Sequence, residues 1–445
     1  MESKKLKACV VTLGCRVNQY ESQSILESLE NKGVEILPFS DGLDIYVLNT
    51  CSVTAQSDKK SRQFINRFKK IKENRPDCIV AVLGCFIQRI KNSSEDTSFL
   101  DGVDVIIGNG GKNRAADMIF SVINKKNSFG KFASLPEKFE ETPVTKSKNV
   151  KAYIKIQDGC NNFCSYCIVP YLRGRIRSRN TDCIEKEALT LAKNGFKEIT
   201  LTGIEVSAFQ CENEEYPLVY ITKKLSKADG IERIRFGSLN PRLITKGFCE
   251  ELSKCEKFLP HFHLSLQSGS DAVLSAMRRN YTRSDILSAY ENIFSYFDKA
   301  TLSSDIICGF AGESDEDFLD TVSIIKNCNM LHTHIFPYSV RKGTLAEGFK
   351  NKVSADVITK RCEILKEISE KEAIRSAEKF YGTYARVLVE KTIDGRAFGY
   401  TENNIYVSFD FKNHSVGDIV PVLLLNECAF FDKTLTVKAK NLTNL

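Results

Sequence analysis

The sequence predicts an α/β protein in three parts: a small parallel α/β domain over residues 1–123, a partial parallel (β/α)6 barrel over 151–380, and a small antiparallel β-barrel over 381–445, with a linker at 124–150. Three observations carry this. Apolar runs of strand length alternate with helical patterns through the first part and, six times over, through the second. A polar, Lys-rich stretch holding Pro136 and Pro143 separates the two. Beyond a charged helical stretch the chain turns to β-branched runs punctuated by glycine. At 445 residues it exceeds what one core ordinarily supports.

In the first part, Ala8 to Leu13, Leu43 to Leu48, Cys78 to Leu83 and Val103 to Gly108 have the length and apolar character of buried parallel strands. Helices from about Tyr20 to Asn31, closed by Gly33, and from about Asp58 to Lys72 lie between them. Phe64, Ile65, Phe68 and Ile71 give the second helix one buried face. The barrel strands are expected at Tyr153 to Ile156, Glu198 to Leu201, Arg233 to Phe236, His263 to Leu266, Ser304 to Ile307 and His334 to Phe336. Successive parallel β/α units place a site at the strands' C-terminal ends. A helix from about Ser354 to Lys379 then leads into YARVLVE, NNIYVSF, DIVPVLLL and TLTVKA, which suit a small β-barrel.

Hydrophobic residues make up 42% of the chain and charged residues 27%, which argues against extensive disorder. The apolar run before Gly14 is five or six residues, too short for a signal peptide, and no segment approaches the ~20 apolar residues of a membrane span. A soluble, cytoplasmic protein with no membrane partner is expected. In a reducing compartment sixteen cysteines point to metal binding or chemistry rather than disulfides. A net charge of +7 permits a nucleic-acid partner without requiring one.

Cys160, Cys164 and Cys167 stand at C-x-x-x-C-x-x-C spacing directly after the first barrel strand. Three close thiolates can hold three irons of a 4Fe-4S cluster and leave the fourth open, which a radical enzyme needs for the amino and carboxylate groups of S-adenosylmethionine. A structural zinc site would want a fourth Cys or His nearby, and none follows closely. Cys15, Cys51 and Cys85 form a second set: each lies one to three residues beyond an apolar strand of the first domain, so all three project from one sheet edge, where ligands bind. The other ten, Cys9, Cys78, Cys183, Cys211, Cys249, Cys255, Cys308, Cys328, Cys362 and Cys428, share no spacing and read as core or surface thiols.

TLGCRVNQYES at Thr12, NTCSVTA at Asn49, LGC at Leu83, KIQDGCNNFCSYCIVPYLRGRIRSR at Lys155, LTG at Leu201, HFHLSLQSGSDAVLSAMRR at His261 and DIICGFAGE at Asp305 together resemble the radical S-adenosylmethionine methylthiotransferase family. GYTENNIYV at Gly399 resembles that family's C-terminal TRAM domain. The TLGC-x-VN opening and DGCNNFCSYC loop are similar to the branch acting on N6-threonylcarbamoyladenosine next to the tRNA anticodon. The resemblance implies two 4Fe-4S clusters and S-adenosylmethionine as cofactors, a radical SAM barrel, and conversion of that nucleoside to its 2-methylthio derivative. It implies that the cluster of Cys160, Cys164 and Cys167 generates a 5′-deoxyadenosyl radical that removes hydrogen from adenine C2, while the set Cys15, Cys51 and Cys85 supplies the methylated sulfur. A tRNA anticodon stem-loop, an unidentified electron donor and a monomeric state go with this reading. The departures from the family pattern are Ala311 and Ser265, where Pro is usual.

Gly203, past a strand end, resembles the methionine-binding turn of radical enzymes, and Gln267 and Ser268 could hydrogen-bond the cofactor's ribose or carboxylate. Arg173, Arg175, Arg177 and Arg179 alternate, so an extended segment would place their guanidinium groups on one face that could grip phosphates. His261 and His263 read as structural or pocket-lining. Phe398, Tyr400 and Tyr406 could stack on bases or fill the C-terminal barrel's core, and Lys391, Arg396 and Lys412 could meet phosphates. Residues from Tyr381 onward are expected to bind RNA and to be dispensable for the chemistry. The competing functions are methylthiolation of isopentenyl-adenosine or of a ribosomal-protein aspartate, and an iron-sulfur RNA-binding sensor without turnover.

Overall fold

The computed structural model describes residues 5–124, 134–410 and 414–443, so Lys412 lies outside the described residues. The first sheet holds β1 (Lys7–Thr12), β2 (Glu35–Ile36), β3 (Ile45–Thr50), β4 (Ile79–Gly84) and β5 (Val105–Ile107) in the order β2-β1-β3-β4-β5. Every pairing is parallel. The central strand β3 is buried along its whole length, as a strand covered on both faces must be. The two-residue β2 has no counterpart among the expected strands, because it is too short to show a period. The helix after β1 runs Arg16–Glu30 and starts earlier than its apolar pattern, with Cys15 at the N-cap. The next helix, Ala55–Asn74, begins where the Thr54 side chain accepts from the Ser57 amide.

The middle of the chain supplies β6 (Ala152–Lys155), β7 (Gln157–Asp158), β8 (Arg177–Ser178), β9 (Glu198–Thr202), β10 (Arg233–Phe236), β11 (His261–Gln267), β12 (Thr301–Cys308) and β13 (Met330–Pro337). Strands β6, β9 and β10 form one parallel sheet, β11, β12 and β13 another, and β7 pairs with β8 in a small antiparallel ladder. Isolated bridges from Ile234 to Phe258 and from Leu239 to Leu264 join the two sheets into one open arc of six parallel strands. Ser265 matters at this seam. Its amide donates to the Leu239 carbonyl at 2.9 Å, a bond that the family's usual Pro cannot make.

The C-terminal strands β14 (Tyr384–Ile393), β15 (Arg396–Tyr400), β16 (Tyr406–Asp410), β17 (Ile419–Phe431) and β18 (Thr434–Asn441) close into a barrel, which leaves no free edge. One neighbouring pair, β16 with β18, is parallel; the others are antiparallel. This barrel is bound into the rest of the molecule by backbone carbonyls. Arg233 donates to the Tyr400 and Arg386 carbonyls, Arg235 donates to Thr401 at 2.8 Å, and the Thr301 hydroxyl donates to the Asn403 carbonyl. Arg233 and Arg235 are buried, so removing the barrel would strip acceptors from two cations whose remaining partner is Glu198. Truncation at Tyr381, expected from the sequence to spare the chemistry while weakening RNA binding, would also disturb this joint.

A buried ionic hub locks the first sheet to the open barrel. Glu21, on the helix that starts at Arg16, accepts from Arg173 at 2.8 Å, Lys155 at 2.8 Å and Lys112 at 2.5 Å. Asp158 receives Lys155 at 2.6 Å and Arg173 at 3.2 Å, and Arg173 also donates to Asn18 at 2.7 Å. Burial alone would raise the Glu21 pKa, but the three cations hold it well below the usual carboxylate range. The described part of the linker straps the same joint: Thr145 donates to Glu27, and Arg179 pairs with both Glu141 and Glu187.

Because Glu21 faces three cations, Glu21→Gln should cost about 3–5 kcal/mol of stability, measured as a shift in denaturant midpoint at pH 7. Glu21's contribution is fully present above the unfolded carboxylate pKa of about 4.3. It is lost as pH falls towards the depressed folded value, so the gap between wild type and variant should narrow in acid.

Candidate active site

Three strand ends build the first set of thiols. β1, β3 and β4 are consecutive neighbours in register, so Cys15, Cys51 and Cys85 leave the same edge of one sheet. Gly14 has φ +96°, and a Cβ there would lie 2.6 Å from Cys51 Cβ and Sγ, so glycine is required by both conformation and space. Gly84, at φ +105°, presses equally closely on the Thr50 carbonyl. Asn18 ties the tips together, donating to the Leu13 carbonyl at 2.8 Å and to Thr50 at 2.9 Å, while Asn49 donates to Asn18 O and Ser22 Oγ at 3.0 Å. These bonds give physical content to the TLGC-x-VN and NTC motifs.

The second set lies on the loop after β7. Gly159 has φ +74° and passes so close to the Arg175 carbonyl that no side chain fits. The loop is pinned by the Cys160 amide on Gly174 O at 3.1 Å, the Cys167 amide on Cys164 O at 2.9 Å and the Ser165 amide on Met277 O at 3.0 Å. Arg279 donates to Cys164 Sγ at 3.3 Å and to the Ser265 carbonyl at 3.1 Å. The two sets are joined through Cys85, which packs with Ile168 and Leu172, just past Cys167. Arg173, ending the helix Val169–Arg173, exerts its charge on Cys15 and Cys85 alike.

Comparison with known proteins fits this layout. Residues 154–325 match the Radical SAM superfamily, and residues 7–108 match a family described as Uncharacterized protein family UPF0004. The chain is 33% identical over 423 residues to Threonylcarbamoyladenosine tRNA methylthiotransferase MtaB of Bacillus subtilis (strain 168), covering 93% of this chain and 92% of that protein. It is 34% identical over 415 residues to the MtaB of Aquifex aeolicus (strain VF5), covering 89% and 98%. It is 33% identical over 437 residues to the tRNA-2-methylthio-N(6)-dimethylallyladenosine synthase of Alkaliphilus oremlandii (strain OhILAs), covering 96% and 92%. The chain belongs to the radical S-adenosylmethionine methylthiotransferases. In fold it is similar to the radical S-adenosylmethionine methyltransferase TsrM from Kitasatospora setae, with a TM-score of 0.54 at 13% identity over 75% of each chain.

A radical S-adenosylmethionine methylthiotransferase uses that cofactor together with 4Fe-4S clusters. The donor chemistry of this chain fits them: two sets of three free thiols, one at three neighbouring strand ends and one on a single loop. Among the described residues no three His, Cys, Asp or Glu side chains close on a single metal ion. Burial pushes the thiols up, Cys51 and Cys160 to about 11 and Cys167 to about 12, with neighbouring thiols adding to the effect at each. Cys15 is open to solvent yet surrounded by enough protein for its thiol also to be raised, Arg173 opposing the rise.

The other residues singled out in the sequence fall into different places. Gly203 follows β9, and a Cβ there would lie 3.0 Å from the Gln157 carbonyl; Gln157 Oε1 accepts from the amides of Ile204 and Glu205. Gln267 ends β11 with φ +67° beside a register shift. Ser268 is fully buried, its hydroxyl engaged with Thr321 Oγ1 at 3.2 Å and accepting from the Ser270 amide. The arginine series is corrected. Arg173 closes a helix, Gly174 turns the chain at φ +77°, and Arg173, Arg177 and Arg179 are buried on carboxylates and carbonyls, which leaves Arg175 exposed over the Phe163 ring at 4.7 Å. Phe398 and Tyr406 are buried, so the base-stacking expectation fails for both; the exposed rings on this barrel include Tyr384, Phe430 and Phe431. Lys391 lies over Phe398 and Phe431, and Arg396 faces Asp410 at 3.5 Å.

Sequence reasoning missed Arg279, Glu205 and Gln157. Arg279 ends the quoted SAMRR stretch, but its reach to Cys164 spans 115 residues. Glu205 accepts from Asn162 inside the cysteine loop at 2.9 Å.

At pH 8, Cys51, Cys160 and Cys167 are thiols before metal binds, and each that takes up iron releases its proton. Beyond the protons released as hydrosulfide becomes cluster sulfide, reconstitution in weak buffer at pH 8 should therefore acidify the solution by about one proton for each of these residues. Uptake should ease as pH rises towards 11, and Cys51→Ser should release fewer protons.

Proposed function

We propose that this enzyme methylthiolates tRNA, converting N6-threonylcarbamoyladenosine next to the anticodon to its 2-methylthio derivative. The observation that carries the reading is the contact of Cys85 with Ile168 and Leu172, close behind Cys167, which supports a single site served by both thiol sets. Radical formation and sulfur transfer on one adenine require that proximity. The relatives named for threonylcarbamoyladenosine support the substrate, as does the TLGC-x-VN opening. Relatives named for dimethylallyladenosine are about as similar, so identity does not separate the two nucleosides and residues near the base must.

Cys160, Cys164 and Cys167 would hold one 4Fe-4S cluster and Cys15, Cys51 and Cys85 the other, supplying respectively the electron that cleaves S-adenosylmethionine and the sulfur to be transferred. The chain's own residues orient and insulate this chemistry. Arg279 offsets negative charge at Cys164. Gln157 fixes the turn at Gly203, where backbone without a side chain can lie against the cofactor, and Gln267 ends β11 in the same arc of parallel strands. Ser268 acts beneath it through the turn it shapes. The division of labour is 1–123 for the sulfur-supplying site, 151–380 for radical generation and 381–445 for RNA, with 124–150 linking the first two. The anticodon stem-loop is the bound RNA, an electron donor is required, and the enzyme works as a cytoplasmic monomer; no described helix is long and apolar enough to cross a membrane.

Replacing Cys160, Cys164 or Cys167 by Ala should abolish 5′-deoxyadenosine formation, whereas replacing Cys15, Cys51 or Cys85 should spare some of it yet stop methylthiolation. Equal loss of cleavage in both groups would refute the division of roles. Mass spectrometry of tRNA nucleosides from a deletion strain should show unmethylthiolated threonylcarbamoyladenosine accumulating. Accumulation of isopentenyl-adenosine, or of neither nucleoside, would move the enzyme to another branch.

A further inference from the structure

Strand alternation collects an unusual set of side chains on one face of β11, β12 and β13. His261 and His263, Thr301, Ser303 and Asp305, and His332 and His334 all lie on the face opposite the apolar residues Phe262, Leu264, Leu302 and Ile306 that pack under the helices. Their polar atoms are largely paired among themselves. His263 bonds Ser303 at 2.8 Å and Asp305 at 3.1 Å, His261 bonds Thr301 at 2.8 Å, and His332 bonds His334 at 3.1 Å.

One side chain here differs. Arg16, next to Cys15, has no hydrogen-bond or ion-pair partner among the described residues; its guanidinium lies 5.7 Å from the centroid of the Tyr153 ring. Tyr153 alternates with Ala152 and Ile154, which pack into the core under the helices, so its ring and the guanidinium beside it belong to the inner side of the strands. Asp305, the carboxylate in the cluster, is already held by His263. A guanidinium with its donor fork unspent, steadied by an aromatic ring beside a sulfur-supplying thiol, is suited to a carboxylate carried by the substrate.

We infer that Arg16 is the specificity-determining residue that takes the carboxylate of the threonylcarbamoyl group, with Tyr153 holding its plane. This rests on the proposed nucleoside: threonylcarbamoyladenosine ends in a carboxylate near the reacting base, and dimethylallyladenosine offers only hydrocarbon there. The histidines and Asp305, spent on one another, shape the pocket, while Arg16 supplies the charge that selects.

The test is fluorescence anisotropy on the cluster-loaded enzyme, using anticodon stem-loops that differ at one adenosine: threonylcarbamoyl, its methyl amide, or dimethylallyl. Wild type should bind the acid about 10-fold or more tightly than either neutral loop, as a charge-assisted hydrogen bond provides. In Arg16→Gln that preference should fall to within about twofold, and Arg16→Lys should retain part of it. Iron content measured on each variant separates lost recognition from a lost cluster, and the methyl amide arm needs no variant at all. Arg16→Gln with its preference intact, or a wild type that methylthiolates the acid loop yet binds all three alike, would overturn the role of Arg16. A wild type that methylthiolates only the dimethylallyl loop would instead overturn the nucleoside assignment, and this inference with it.

Discussion

The two thiol-bearing segments are held by a cluster of charges that water does not reach. Glu21 belongs to the helix that begins one residue after Cys15, and Asp158 lies two residues before Cys160. Arg173 and Lys155 bridge those carboxylates, so each thiol set is indexed to the other through a few short, buried bonds. Charges out of water are expensive to leave unpaired, and that cost makes the joint between sheet and barrel specific. A misplacement of about 1 Å at a reacting centre can cost on the order of 100-fold in rate, so a joint of this kind suits the division of roles proposed for the two thiol sets.

Around this hub the cysteines are positioned by backbone rather than by one another. Gly14, Gly84 and Gly159 each occupy a left-handed conformation against a neighbouring strand or loop that leaves no room for a Cβ. Asn18 and Asn49 fasten the strand tips, and Arg341 adds a third tether, donating to the Ser52 carbonyl and to Asp58 beside Cys51. Such loops keep their thiols in place with protons on, a form that burial favours until metal displaces them.

The C-terminal barrel shows how an appended module becomes part of the enzyme. Its GYTENN turn meets the start of the barrel strands, where Arg233 and Arg235 take backbone carbonyls as partners and Asn403 donates to Lys299 O. Asn404 reaches His261 at 3.4 Å, so the module touches the same inner face that Arg16 overlooks. All three parts of the chain therefore contribute to the walls around that face.

Periodicity and spacing determined the parallel strands in outline, the six-unit barrel, the closing β-barrel and the two groups of cysteines, because burial of a strand or helix face leaves a local imprint on residue type. Cys15, Cys51 and Cys85 could be grouped across 70 residues since each follows an apolar strand, and parallel strands end on one edge. The arginines of RGRIRSR could not be read the same way. The closer of the two carboxylates that neutralise Arg173 lies 152 residues away in sequence, at Glu21, and an exposed phosphate grip and a buried ion pair leave identical marks on the local sequence. The two-residue strand β2, the reach of Arg279 to Cys164 and the unpartnered state of Arg16 among the described residues depend likewise on distant segments brought together, so only the tertiary structure decided them.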